Sequence, residues 1–226
     1  MRQFFIRYIP KILQSCAWLP TRLVLNFFIH FNVVGLEHLK GIEAPVIFAS
    51  NHVSELDPIL VRAALPCFSR FGPLFYVSRK NYLASIKGMR KYFYGGFFFK
   101  AWGAYPAQSG LKSYAESLFN HIKLLKGKNS VCIFPEGRIT KTGVLGEVHG
   151  GVVYLAEATH TPVVHVTITG PYKITLRDFF TRKRHVAVVF NIPLYNIHSE
   201  SDDAESYREK ARIIMEGTSL HTFHHV

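Results

Sequence analysis

His52 and Asp57, in the stretch Asn51-His52-Val53-Ser54-Glu55-Leu56-Asp57-Pro58, are the side chains best equipped to move a proton. Histidine titrates near neutrality, and a carboxylate that orients it completes the minimum equipment of a general base. Spacing alone does not single the pair out, because His198 and Asp203 repeat it. Context does. The first pair follows Val46-Ile47-Phe48-Ala49, which reads as a buried strand. Asp57-Pro58 then opens a helix, with Asp at the cap and Pro at the first helical position. The second pair lies in polar sequence ahead of a C-terminal helix, which Asp202 and Glu205 would start as a capping box. α/β proteins place their chemistry where a strand end turns into a helix start.

Other chemistries find little support. Cys16, Cys67 and Cys132 are odd in number and far apart, which argues against a disulfide framework and for a reducing compartment. Each reads as a small buried or lipid-facing residue rather than a nucleophile. The sequence has no Gly-x-Ser-x-Gly elbow, no phosphate-cradling glycine loop and no metal-spaced histidine pair. His221, His224 and His225 could chelate opportunistically but read as a tail. The chain has 226 residues, 48% of them hydrophobic and 14% aromatic, a composition that excludes disorder. A formal charge of +12 calls for a negative partner. No zinc finger, RNP-like strand or basic coiled coil is present, so no nucleic-acid partner is expected. An anionic membrane surface or an acidic carrier protein remains.

The elements that must position His52 and Asp57 begin with two amphipathic segments, residues 3–19 and a second after Pro20. Polar residues recur at helical spacing (Gln3, Arg7, Lys11, Gln14, then Arg22, Asn26, His30), and aromatic and aliphatic residues fill the rest. Pro10 is expected to kink the first segment, and neither reaches the uninterrupted apolar length of a spanning helix. No small-x-small cleavage site follows them. Helices of this kind lie in the membrane interface, the alternative being that they pack on the core. Residues 1–34 are thus expected to form a membrane-associating segment and residues 35–226 one domain. Strands are expected at 73–77, 130–134, 163–169 and 186–192, and helices at 58–65, 111–125 and 150–158. Residues 92–105 form an aromatic run that suits headgroups, an acyl-chain tunnel or the core, and 173–184 read as a basic loop. The alternation predicts an α/β fold with a central mixed, largely parallel twisted sheet flanked by helices.

A second strand end delivers Pro135-Glu136-Gly137-Arg138. The two turns together, in this order and spacing, resemble the signatures of glycerolipid acyltransferases of the 1-acylglycerol-3-phosphate acyltransferase type, over residues 35–195. Trp102-Gly103-Ala104-Tyr105-Pro106 and Thr161-Pro162-Val163-Val164-His165-Val166 are weaker blocks of the same likeness. The resemblance implies transfer of a fatty acyl group from a thioester, on CoA or acyl carrier protein, to a lysophospholipid hydroxyl. The first acceptor it suggests is 1-acyl-sn-glycerol-3-phosphate, in phospholipid biosynthesis, with no cofactor beyond the thioester co-substrate. It implies His52 as the base and Asp57 as the carboxylate that sets its tautomer. Asn51 and Pro135 would support them; Glu136, Gly137 and Arg138 would bind the acceptor, with Arg138 on its phosphate. Glu136 could also serve as an ion-pair partner of Arg138.

Three departures bear on the acceptor. Arg138 follows Gly137 directly where the family commonly has Thr then Arg, a variant also similar to enzymes acting on headgroup-bearing lysolipids. Gln108-Ser109 replaces the arginine that usually closes the second block, leaving Arg79 or Lys80 to supply that charge. His165 stands where proline is common. Lysophosphatidylethanolamine, a lyso-ornithine lipid and glycerol-3-phosphate stay open as acceptors, and a non-catalytic membrane-binding module is the alternative of another class. Membrane lipids and acyl carrier protein are the expected partners. The expected location is a membrane, at the cytoplasmic face of the inner (plasma) membrane in a bacterium.

Overall fold

Strands that are apolar on both faces need cover on both faces, and that requirement sets the layers of this molecule. The computed structural model describes residues 2–79, 96–107 and 113–217, with side chains described for 8–78, 99–107 and 113–217. Seven strands form one sheet: β1 (Phe31–Val34), β2 (Ile47–Ser50), β3 (Phe75–Arg79), β4 (Ala104–Ala107), β5 (Val131–Ile133), β6 (Val163–Thr169) and β7 (Val186–Phe190). Their order is β1-β7-β6-β2-β5-β3-β4. Among the seven strands of the described residues only the β6/β7 pairing is antiparallel, so β1 and β7 run against the other five. The mixed, largely parallel sheet expected from sequence is what forms. Central β2 is buried at all four residues, pairing with β5 on one side and β6 on the other.

Helices cover the two faces. On one lie α1 (Arg2–Ile29) and α2 (Asp57–Ala64), burying Leu25, Ile29, Leu60 and Val61 with Phe48 and Val164. On the other lie α5 (Phe119–Lys126), α6 (Gly151–Thr159) and α8 (Ala204–Gly217), packed over Ile47, Ala49 and Ile133. Short helices α3 (Gly96–Ala101) and α4 (Tyr114–Ser117) precede β4 and α5. The single helix expected over 111–125 is thus two at its described residues, broken at Leu118. Of the aromatic run 92–105, residues 92–95 lie outside the described residues, as do His221, His224 and His225, while Phe99 and Tyr105 pack against the core.

Two expectations need correction. The basic 173–184 stretch holds a helix, α7 (Leu176–Thr181). A capping box starts it: Thr175 Oγ1 accepts the Asp178 N–H, and Asp178 Oδ2 accepts the Thr175 N–H. At the C-terminal helix the cap is Asp203, not Asp202. Its Oδ1 accepts the N–H groups of Glu205 and Ser206 at 2.8 and 2.9 Å. That use, with His198 set 3.9 Å from Glu157, disposes of the second His/Asp pair.

The N-terminal segments also differ from expectation. α1 runs unbroken through Pro10 and Pro20, and its Tyr8–Ile29 portion is long and apolar enough to cross a membrane. Gln14, Trp18 and Arg22 turn toward the domain, while Lys11, Asn26 and His30 of the polar stripe stay exposed. Gln14 is buried, donating to the carbonyls of Leu74 (2.8 Å) and Trp102 (3.0 Å) and accepting from the Leu74 N–H and the Arg62 Nε. Trp18 and Arg22 donate to the Leu65 and Ala63 carbonyls. The opposite face exposes Tyr8, Ile12, Cys16, Leu19, Leu23 and Phe27 at helical spacing. So α1 is bonded to the domain on one side and apolar on the other. Gln14→Leu should strand several buried polar groups and lower the unfolding free energy by about 2–4 kcal/mol in urea denaturation. Cys16→Ser, on the exposed face, should change it by less than about 0.5 kcal/mol.

Candidate active site

The run Ile47–Ser50 ends the central strand, and the chain must then turn before α2 can start. Asp57 organises that turn. It is the first residue of α2 rather than its cap, which is Leu56, and its fully buried carboxylate points back along the chain. Oδ2 accepts the Val53 N–H (2.6 Å), the Ser54 N–H (2.9 Å) and His52 Nδ1 (2.8 Å), while Oδ1 accepts the Ser54 hydroxyl at 2.6 Å. Four donors compensate the desolvation of the charge. Because an ionised carboxylate only accepts, Nδ1 donates in this bond, and in the neutral ring Nε2 is then the nitrogen with the lone pair. The His52 side chain is 18% exposed and lies on the Phe134 ring, centroids 4.3 Å apart.

The second turn follows β5, the parallel neighbour of β2, so both turns leave the same edge of the sheet. Phe134-Pro135-Glu136-Gly137 closes with Gly137 N–H on the Phe134 carbonyl, and Gly137 adopts φ +62°, which favours glycine. Glu136 is 3% exposed. Its Oε1 accepts the His52 N–H at 2.8 Å and its Oε2 the Gly146 N–H at 3.0 Å. The Thr140 N–H donates to the His52 carbonyl at 2.8 Å. Two turns more than eighty residues apart are therefore tied through the backbone of the histidine itself.

The sequence-derived residues fall into place unevenly. Asn51 pairs with β6 through its amide, Nδ2 on the Ile168 carbonyl (2.9 Å) and Oδ1 on its N–H (2.7 Å), adding a rung to the ladder. Pro135 is buried and its carbonyl accepts the His149 N–H. Gly137 and Arg138 are exposed beside the histidine turn, and Arg138 makes no ion pair among the described residues. Glu136 has both oxygens on backbone N–H groups rather than on Arg138. Arg79 ends β3 at the edge that carries both turns, though its side chain and all of Lys80 lie outside the described residues. Buried Cys132 has its thiol pushed far up by burial first and by the Asp57 charge second, which leaves it without nucleophilic character. His165 is buried, and burial lowers its pKa to about 4.

Three participants escaped the sequence reading: Ser54, Phe134 and Thr140. A hydroxyl three residues before a helix-opening aspartate is a local signal for the first. Contacts across the sheet edge place the other two, and no local pattern announces them.

Comparison with known proteins adds the family context. Residues 30–169 match the family model described as Acyltransferase. A chloroplastic 1-acyl-sn-glycerol-3-phosphate acyltransferase of Arabidopsis thaliana is 27% identical over 197 residues, 86% of this chain and 50% of that protein. A probable 1-acyl-sn-glycerol-3-phosphate acyltransferase of Mycoplasma pneumoniae is 23% identical over 177 residues, 71% of this chain and 61% of that protein. The chain thus spans about half the length of the plant relative. The crystal structure of the 1-acyl-sn-glycerophosphate acyltransferase PlsC of Thermotoga maritima shares the fold, with TM-score 0.60 and 17% identity over 92% of this chain and 81% of that one.

The brace at Glu136 has a measurable consequence. Glu136→Gln turns one acceptor into an NH2 group facing a backbone N–H, so one of the two bonds must be lost. Urea denaturation should report a loss of about 1–3 kcal/mol. Arg138→Gln, one turn away and exposed, should stay within about 0.5 kcal/mol of the parent.

Proposed function

The chain belongs to the acyltransferase family, and from that premise we propose that it transfers a fatty acyl group from a thioester of CoA or acyl carrier protein to the free hydroxyl of 1-acyl-sn-glycerol-3-phosphate, in phospholipid biosynthesis. One observation carries the reading: His52 holds its Nδ1 on a fully buried carboxylate at 2.8 Å while the ring reaches solvent. The names of the matched plant and Mycoplasma proteins support the choice of acceptor.

In the proposed reaction the acceptor hydroxyl gives its proton to His52 Nε2 as its oxygen attacks the thioester carbonyl carbon. Asp57 stabilises the imidazolium that forms and stays ionised itself. The tetrahedral adduct collapses by breaking the carbon–sulfur bond, and the departing thiolate takes the proton back from Nε2. The new ester and the free thiol are the products, and the base is restored. Arg138, exposed beside the turn, meets the acceptor phosphate by a charge-assisted contact. Glu136 acts as a positioning residue, holding the His52 backbone while Arg138 is presented from the same loop. The exposed apolar stripe of α1 supports residence at a membrane, where the acceptor lies; the reading sets the site on the side where acyl thioesters are made.

His52→Ala keeps the backbone N–H and carbonyl that Glu136 and Thr140 hold, and leaves Asp57 with three donors. It should fold normally and lose transfer by roughly a hundredfold or more, measured as thiol release from acyl-CoA and from acyl carrier protein. Near-normal release would end the assignment. Arg138→Ala should raise the apparent KM for 1-acyl-sn-glycerol-3-phosphate by about tenfold with a smaller effect on kcat. An unchanged KM, or equal use of a lysolipid without a phosphate monoester by the parent, would remove Arg138 from that role.

A further inference from the structure

α7 is a helix whose apolar side faces away from the protein. Leu176 is 79% exposed and Phe180, one turn on, is 73% exposed, so the two share a face. Phe179 packs inward instead, 6.0 Å from Phe28 of α1. Further contacts fix α7 on the C-terminal end of α1: the Phe28 and Phe180 rings meet at 6.0 Å, and the Arg182 guanidinium lies 4.4 Å over Phe27. His30 Nε2 donates to the Arg182 carbonyl at 3.0 Å. Leu176 and Phe180 therefore extend the exposed stripe that ends at Leu23 and Phe27. Around them stand Lys173, Arg177, Arg182, Lys183 and Arg184, against the single acid Asp178. That acid is already used, by the capping box and by Arg184 at 3.3 Å.

The position matters as much as the composition. β6 runs parallel to β2, so the connection that follows it and carries α7 leaves the same sheet edge as the His52 turn. Asn51 is bonded to Ile168 near the end of β6. From there residues 170–175 lead to α7, and within them the Tyr172 hydroxyl donates to the Lys141 carbonyl in the loop after Arg138.

We propose that α7 is a second membrane contact, Leu176 and Phe180 entering an anionic bilayer while the surrounding cations meet its headgroups. Exposed apolar residues framed by Lys and Arg are the composition of an interfacial helix. An acidic protein would satisfy the charges but not the continuation of the apolar stripe along α1. The contact holds the active-site edge against the surface that contains the acceptor, a role that rests on the acyl-transfer reading; the contact itself does not.

The test uses the full chain with Leu176→Ser/Phe180→Ser, Arg177→Glu/Lys183→Glu and, on α1, Leu19→Ser/Leu23→Ser. Co-sedimentation is measured with phosphatidylglycerol-containing vesicles and with pure phosphatidylcholine vesicles. The Ser variant of α7 should weaken partitioning by about tenfold or more. The charge reversal should weaken it by at least about fivefold per cation on the anionic vesicles only. Both should slow transfer to acceptor embedded in vesicles and leave transfer to a short-chain, water-soluble acceptor unchanged. Partitioning that depends on the α1 pair and ignores both α7 variants overturns the proposal. So does lost binding to acyl carrier protein with vesicle binding intact, or a slower reaction on the soluble acceptor. A parent chain that binds vesicles through α7 yet acylates nothing would sink the acyl-transfer reading and support this one.

Discussion

A carboxylate taken out of water must find enough donors to replace its hydration, and two such carboxylates shape this molecule. Asp57 and Glu136 are both buried, and neither has an arginine or lysine partner among the described contacts. Their needs are met by backbone N–H groups, a hydroxyl and an imidazole. Meeting them bends the chain after β2 into one turn and fastens the turn after β5 to it. The acid that sets the histidine tautomer is thus also the centre of the loop that presents the histidine. Chemistry and local folding have the same cause here.

The sheet supplies the frame. β2 and β5 are parallel neighbours, so their following turns must emerge side by side. The reversal at β7 then brings the end of α1 and the whole of α7 to that edge too. Gln14, Trp18 and Arg22 bind α1 to carbonyls of the domain, which holds the helix against it. The exposed apolar stripe and the candidate active site are consequently carried by one packed domain.

Much of this was legible in the residues. The β-branched runs gave β2, β3, β5, β6 and β7 but not β4, Asp57-Pro58 gave the start of α2, and the two turns gave the family. What stayed hidden needed distance information. Periodicity showed that α1 has a polar stripe but not which of its members face the protein, and Gln14 and Arg22 turned inward, with Trp18, to meet carbonyl groups at the end of α2, before β3 and before β4. Glu136 read as a ligand-binding acid because its partners, His52 and Gly146, are named only by the fold. α7 was hidden by its charge: five cations suggested a basic loop, although Thr175 and Asp178 carried the capping signal in plain view.

The two oxygens of Glu136 have a further consequence. One holds residue 52 and the other holds residue 146, so a single side chain fastens both the entrance and the exit of residues 137–145. Inside that span only the Thr140 N–H returns to the histidine turn. Residues 137–145 therefore form a loop closed at both ends by one side chain and joined to the histidine turn at Thr140. A change of length within it would be absorbed between two points that Glu136 keeps fixed, provided the Thr140 N–H still meets the His52 carbonyl.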